Sequence, residues 1–314
     1  MTRPELRILT AVLGLMSFLL PACAQAPAPA PDRTRFDTPD QAAKAVMSAL
    51  KTNDPQQLKA IFGPDAEKDL SSGDPVSDRH DRQAIAIAME QSWRWDLGAG
   101  NTQELIIGDE HWPFPVPLTK VRGGWQFDTA AGADEIISRR IGRNELRVID
   151  VCHDYVTMQQ TYASQPRDGK IAGLYAQKFQ SSPRRQDGLF WRVGDEEAPS
   201  PMGDLIAQAV VEGYDETKPS PQPLWGYYFR VLTAQGPAAN GGARSYIVNG
   251  EMSGGFGLIA YPAEYGRGGI MTFIVNQDGI VYQKDLGEDT LTVAGGLDVY
   301  NPDGTWTVVK EPRP

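Results

Sequence analysis

Cysteine and histidine are nearly missing from this chain, with two and three copies in 314 residues. A disulfide-stapled scaffold or a Cys/His zinc centre has too few members to be built, and no metal or other cofactor is expected. Positive charge is scarce too. Thirty basic against forty acidic residues leave a net charge of −10, so the footprint that gathers phosphate backbones is lacking and nucleic acid is excluded as an expected partner. No GxxxxGK[ST] run is present to cradle a phosphate. The runs Gly241-Gly242, Gly254-Gly255 and Gly266-x-Gly268-Gly269 separate strand-like segments, as hairpin and bulge residues do. Asp168-Gly169 and Asp278-Gly279 lack the alternating oxygen ligands of a calcium loop and read as turns. Apolar side chains are plentiful: at 41% they can fill cores, and the length corresponds to two folded units at roughly 150 residues each.

Arg3 and Arg7 precede an apolar stretch over residues 8–20, which is too short to span roughly 30 Å of hydrocarbon comfortably. Residues 1–22 therefore read as an export signal. Leu20-Pro21-Ala22-Cys23 resembles a bacterial lipobox, in which Cys23 would be lipidated and become the mature N-terminus. Ala24-Gln25-Ala26 offers a competing cleavage site, although Pro27 after the scissile bond fits peptidases poorly. The first reading predicts a periplasm-facing outer-membrane lipoprotein, touching the membrane through a lipid anchor only; the second predicts a soluble periplasmic protein. In residues 23–35 proline recurs at every second position from 27 to 31, so the segment is expected to be a semi-rigid tether. It could hold the body on the order of 35 Å from an anchor.

Residues 36–130 carry the signals of a small helix-then-strand unit. Thr38-Pro39-Asp40-Gln41 is a capping box, and Ala42, Ala43, Val46, Met47 and Leu50 supply one apolar face. Asp54-Pro55 repeats the start signal, and Gly63-Pro64 ends the second helix. Polar residues follow through Arg82; residues 85–93 then predict a third short helix or an extended segment, and 104–108, 118–121 and 125–127 predict strands. Residues 131–314 begin with the longest helical pattern, over 133–164, in which two apolar stripes run side by side and Gly142 marks an expected weak point. One stripe holds Ile141, Leu146 and Ile149; the other holds Val148, Cys152, Tyr155 and Tyr162. Short helices are expected near 174–179 and over 201–211, and an antiparallel sheet over 227–284 with a hairpin at Asn276-Gln277-Asp278-Gly279. The expected fold class is α+β.

Four runs carry a resemblance: Ile141-Gly142-Arg143-Asn144-Glu145-Leu146, the segment from Gly226-Tyr227-Tyr228 to Gly236-Pro237, the segment from Gly255-Phe256-Gly257 to Tyr261-Pro262, and Met271-Thr272-Phe273-Ile274-Val275-Asn276-x-Asp278-Gly279. Together they resemble an exported bacterial family catalogued as domain of unknown function 2950, over nearly the whole mature chain. That family has no established activity, so the resemblance implies bacterial export and little else. The second half is similar to the globular heads of pilin-like and pseudopilin proteins, in which a long helix packs across a sheet. Here the helix is internal and no N-methylation leader precedes it. The first half, a helical hairpin followed by a sheet ending in Gly123-Gly124-Trp125-x-Phe127, resembles cystatin or NTF2-like domains, which often hold a pocket between helix and sheet.

No convergent catalytic set is visible. Cys152 and His153 are adjacent on a helix and diverge by about 100°, so one cannot readily activate the other. His80 and His111 lie among carboxylates without a second histidine at helical spacing. Two candidate surfaces remain. Trp225, Tyr227, Tyr228, Tyr261, Tyr265 and Tyr282 lie in the sheet region, where alternation could expose half of them as a binding platform or pack them beneath the long helix. Asp109, Glu110 and His111 are the least poor candidates for a polar pocket in the first unit. The expectation is a non-enzymatic envelope lipoprotein that binds another envelope protein; the alternative is a small-ligand-binding or hydrolytic protein using that pocket.

Overall fold

The computed structural model describes residues 32–64, 74–193, 199–212 and 222–310, together with Ala30, Ala66, Ser72 and Tyr214. The export signal and Cys23 lie outside the described residues. The end of the expected tether is docked rather than free: the Gln126 side-chain amide accepts from Ala30 N–H at 2.8 Å and donates to the carbonyls of Ala30 and Arg33.

Each of the first three helices opens on a polar cap followed by proline, which suits the first helical turn because it has no N–H to leave unpaired. Thr38 caps α1 (Pro39–Thr52) and Asp54 caps α2 (Pro55–Phe62). Asp74 caps α3 (Pro75–Gln91), which corrects the shorter helix expected from Ile85. The apolar pattern of α3 begins only in its second half, while the cap and Pro75 start the helix ten residues earlier. Five short strands follow: β1 (Trp93–Leu97), β2 (Thr102–Ile107), β3 (Trp112–Pro113), β4 (Leu118–Val121) and β5 (Gly124–Phe127), in the order β1-β2-β4-β5 with β3 on β2. Helices and sheet enclose a core around Val46, Leu105, Ile107 and Leu118, with Phe36, Phe62, Phe114 and Phe127 in mutual ring contact.

Helix α4 (Thr129–Ala163) runs for 35 residues through Gly142 without a break. Gly142 is exposed and costs only propensity there. Ile136 packs on the first core, while Val148, Cys152, Tyr155 and Tyr162 enter a second. The buried stripe is thus the Val148/Cys152/Tyr155 one, and Leu146 is left 55% exposed. After α5 (Gly203–Glu212) come β6 (Tyr227–Leu232), β7 (Ala234–Gln235), β8 (Arg244–Ser245), β9 (Ile247–Val248), β10 (Glu251–Met252), β11 (Gly257–Pro262), β12 (Met271–Asn276) and β13 (Tyr282–Asp285). The chain then forms α6 (Thr290–Gly295), β14 (Val299–Tyr300) and β15 (Thr307–Val308). An antiparallel sheet, β15-β13-β12-β11-β6, lies under α4, and the Tyr155 hydroxyl donates to Gly257 O at 3.1 Å. Its other face is covered by residues of the C-terminal segment, with Ala294 and Tyr300 buried against Leu232, Ile259 and Ile274.

The helix expected near 174–179 does not form. Gln159, fully buried on α4, accepts from Ala176 N–H and donates to Ala176 O, both at 2.8 Å. Tyr175 also bridges to Met252. These bonds take the groups an isolated helical turn would need, and a single turn has little stability of its own to set against them.

A polar seam joins α3, α4 and the turn before β6. Trp225 and Gly226, with φ of 52° and 77°, form the two-residue turn between Leu224 and Tyr227. That geometry aims Gly226 N–H at the Asp74 carboxylate (3.1 Å) and Trp225 N–H at the Tyr214 hydroxyl (2.8 Å), which itself donates to Asp74 at 2.5 Å. From α4, Asn144 donates to Gly268 O, Arg143 pairs with Asp81, and Arg147 lies 4.6 Å over the Trp225 ring. The Glu145 carboxylate accepts from Ile270 and Met271 N–H, each at 2.9 Å.

Two substitutions test the seam. A Cβ at Gly269 would lie 2.0 Å from the hydroxyl of Tyr227, itself fully buried. Gly269→Ala is therefore expected to cost about 1–3 kcal/mol in denaturant unfolding. Asp74→Ala removes a helix cap and leaves Tyr214 and Gly226 donors buried and unpaired, for an expected loss of about 2–4 kcal/mol.

Candidate functional site

The six sheet aromatics do not form one platform. Trp225 and Tyr227 are buried on the α4 side; Tyr261 and Tyr282 lean on the core of the opposite face. Tyr228 stacks on Tyr261 with ring centres 5.8 Å apart, and Tyr265 donates to Asp285. Strand alternation sends the strand tyrosines to both faces, and Tyr228, Tyr261, Tyr265 and Tyr282 remain half-buried. Asp109, Glu110 and His111 lie together on the exposed turn between β2 and β3, where His111 adopts φ 55° and its N–H bonds Gly108 O. They point to solvent rather than into a space between helix and sheet. Among the described residues no group of three or more His, Cys, Asp or Glu is placed to hold a metal ion. Cys152 is fully buried, and burial pushes its thiol far above the ordinary value, so it behaves as an apolar residue.

A concave surface lies elsewhere among the described residues, where the chain between α4 and α5 wraps the end of the long helix. Two adjoining hollows of about 330 and 730 Å³ share Lys178 and Arg185 and form one trench. Arg167, Lys170, Lys178, Arg184, Arg185 and Arg192 line it, facing Asp187 and Glu251. Residues 167–192 thus hold six basic and two acidic residues in a chain of net charge −10. That local reversal was legible in the sequence as a charge asymmetry, but the glycines, prolines and missing periodicity around it read only as loop.

The walls are built by hydrogen bonds more than by regular structure. Ser181 N–H and Phe190 N–H bond Phe190 O and Phe179 O, pairing Gln180 with Phe190 in parallel. The Arg167 guanidinium sits between the rings of Tyr162 and Trp191, 5.2 and 4.8 Å from their centres. Asp187 accepts from Ser182 N–H (2.7 Å) and the Ser182 hydroxyl (3.0 Å) and lies 3.0 Å from the Lys178 ammonium. Burial alone would raise the Asp187 carboxyl. The Ser182 N–H, the Lys178 ammonium and the Ser182 hydroxyl outweigh it and bring the pKa down to about 2.

Lys178 also donates to the Ser182 hydroxyl at 2.7 Å, so serine, lysine and aspartate meet in one place. A lysine that serves as base must accept the serine proton, and Lys178 is also paired with the Asp187 carboxylate. An aspartate with a pKa of about 2 is itself a poor base near neutral pH. The arrangement fixes a wall and presents cations.

The chain matches, over residues 33–309, the family described as protein of unknown function (DUF2950), and it belongs to that family. No curated protein and no solved structure matches it.

The Asp187 contacts predict a pH dependence of known sign. Its folded value lies below the ordinary 3.8, so its stabilisation is complete above about pH 4 and is lost as pH falls through about 2. Asp187→Asn should destabilise the protein by about 1 kcal/mol at neutral pH, raise hydrogen exchange at the Ser182 amide, and flatten the stability profile between pH 4 and 2.

Proposed function

We propose that this member of the DUF2950 family is a non-enzymatic bacterial envelope protein, exported, tethered through a lipid on Cys23, and acting as a binding module for another envelope protein. In this reading residues 36–130 form a cystatin- or NTF2-like unit, residues 131–314 form a pilin-like unit, and the trench between α4 and α5 is the contact surface. The observation that carries it is the wiring of that trench. Ser182, Lys178 and Asp187 bond one another within its wall, and the surface they support is concave, cationic and polar, which suits recognition. The competing hydrolytic reading relies on Asp109, Glu110 and His111, which share an exposed turn and no cavity wall with the trench.

The test is in-cell crosslinking of the native protein, with mass spectrometry of the captured material and of the mature N-terminus. The expected outcome is one dominant envelope protein, crosslinked within residues 165–192, and a diacylglyceryl-modified Cys23. A protein that captures nothing and begins after Ala26 overturns the proposal.

A further inference from the structure

We infer that the trench takes an extended, acidic segment of a polypeptide; this rests on the reading of the trench as the contact surface and adds its ligand chemistry. Three observations converge. The first is charge: six cations line the trench against three carboxylates, Asp187, Glu251 and Asp168, which pair with Lys178, Lys170 and Arg185. Six cations less three carboxylates leave a local positive excess in a chain of net charge −10, which favours an anionic segment over a neutral one.

The second is an open strand edge. In the parallel bridge between Gln180 and Phe190, the bonds run through Phe179 O and Ser181 N–H, so the N–H and C=O of Gln180 itself point away from Phe190. Neither meets another main-chain group among the described residues, and Gln180 lines the larger hollow. An extended peptide can pair there by strand addition, while Arg and Lys side chains meet its carboxylates. An acidic sugar chain would meet the same cations but has no peptide backbone to continue the ladder at Gln180.

The third is a strained cation. Arg184 follows Pro183 in a turn closed by Arg185 N–H on Ser182 O, with φ 64°, a position where glycine or asparagine is the usual occupant. An exposed arginine held there gains no packing that explains it. Its side chain stands on the rim of the larger hollow, where it can reach a bound carboxylate.

This separates a binding role from a structural one. Arg184→Gly relieves the backbone, so the variant is expected to melt no lower than the parent. If Arg184 meets a ligand carboxylate, the same change weakens binding by about tenfold. The experiment is a titration of the full-length protein with three probes: fluorescein-labelled octaglutamate, the same peptide with every Glu replaced by Gln, and an oligogalacturonate of matched charge. The inference expects saturable octaglutamate binding that weakens with salt, a Gln peptide and an oligogalacturonate that bind at least tenfold more weakly, and the stated loss in Arg184→Gly. Gln180→Pro, which deletes one free N–H of the edge, should weaken the peptide as well, with its thermal melt showing whether it folds. Absence of octaglutamate binding, equal or tighter oligogalacturonate binding, or full affinity in Arg184→Gly overturns the inference. If octaglutamate fails while crosslinking still captures an envelope protein through residues 165–192, the ligand class falls and the binding-module reading stands.

Discussion

Helix α4 is a wall of two hydrophobic cores at once, and the rest of the molecule depends on how it is held between them. Its first turns pack on the core of α1–α3, and its last four turns roof the C-terminal sheet. Between these stretches its buried face is polar, with Arg140 and Asn144 where apolar residues would otherwise continue. Buried ions carry a desolvation cost, which is recovered only when each finds its partner in the right place. Arg140 lies 3.8 Å from Asp78, Arg143 pairs with Asp81, and Glu145 takes two backbone N–H groups at the start of β12. A sliding or rotated helix would lose these bonds together, so the seam fixes the register of α4 against both neighbours.

The runs 141–146, 226–237, 255–262 and 271–279 lie at this seam and in the sheet beneath it. Asn144, Gly226 and Gly268 meet so closely that a Cβ on Gly226 would lie 2.8 Å from the Asn144 amide. Architecture explains these residues without reference to a ligand. The trench is built differently, from an irregular segment that borrows its order from α4: Gln159 holds Ala176, Tyr162 holds Gln186 O, and ion pairs close the remainder. Its ion pairs are partly exposed, so salt and pH reach them more readily than the bonds of the two cores.

The cap signals at Thr38 and Asp54 could be read directly, because a cap is a local event satisfied within four residues. Asp74-Pro75 carries the same signal, but a polar stretch without apolar period masked it, and its carboxylate proved to serve two distant donors as well as its own helix. The long helix was legible from its two stripes; which stripe is buried was not, since both have helical spacing and only the position of the sheet decides. The aromatic strands were legible as strands. Their surroundings were not, because the cover over the outer face comes from α6 and β14, short elements with no periodic signal.

By itself the sequence determined what depends on neighbours in the chain: the caps, the long helix, the Asn276–Gly279 turn and the α+β class. The tertiary structure decided what depends on residues far apart: that Asp74 meets Gly226, that Gln159 unwinds the segment at Ala176, and that six cations within 26 residues line two adjoining hollows instead of scattering over a loop. The physical reason is range. Backbone preference and capping act over a few residues, whereas burial and charge pairing act wherever the chain returns, and the pattern of return is written only in the folded molecule.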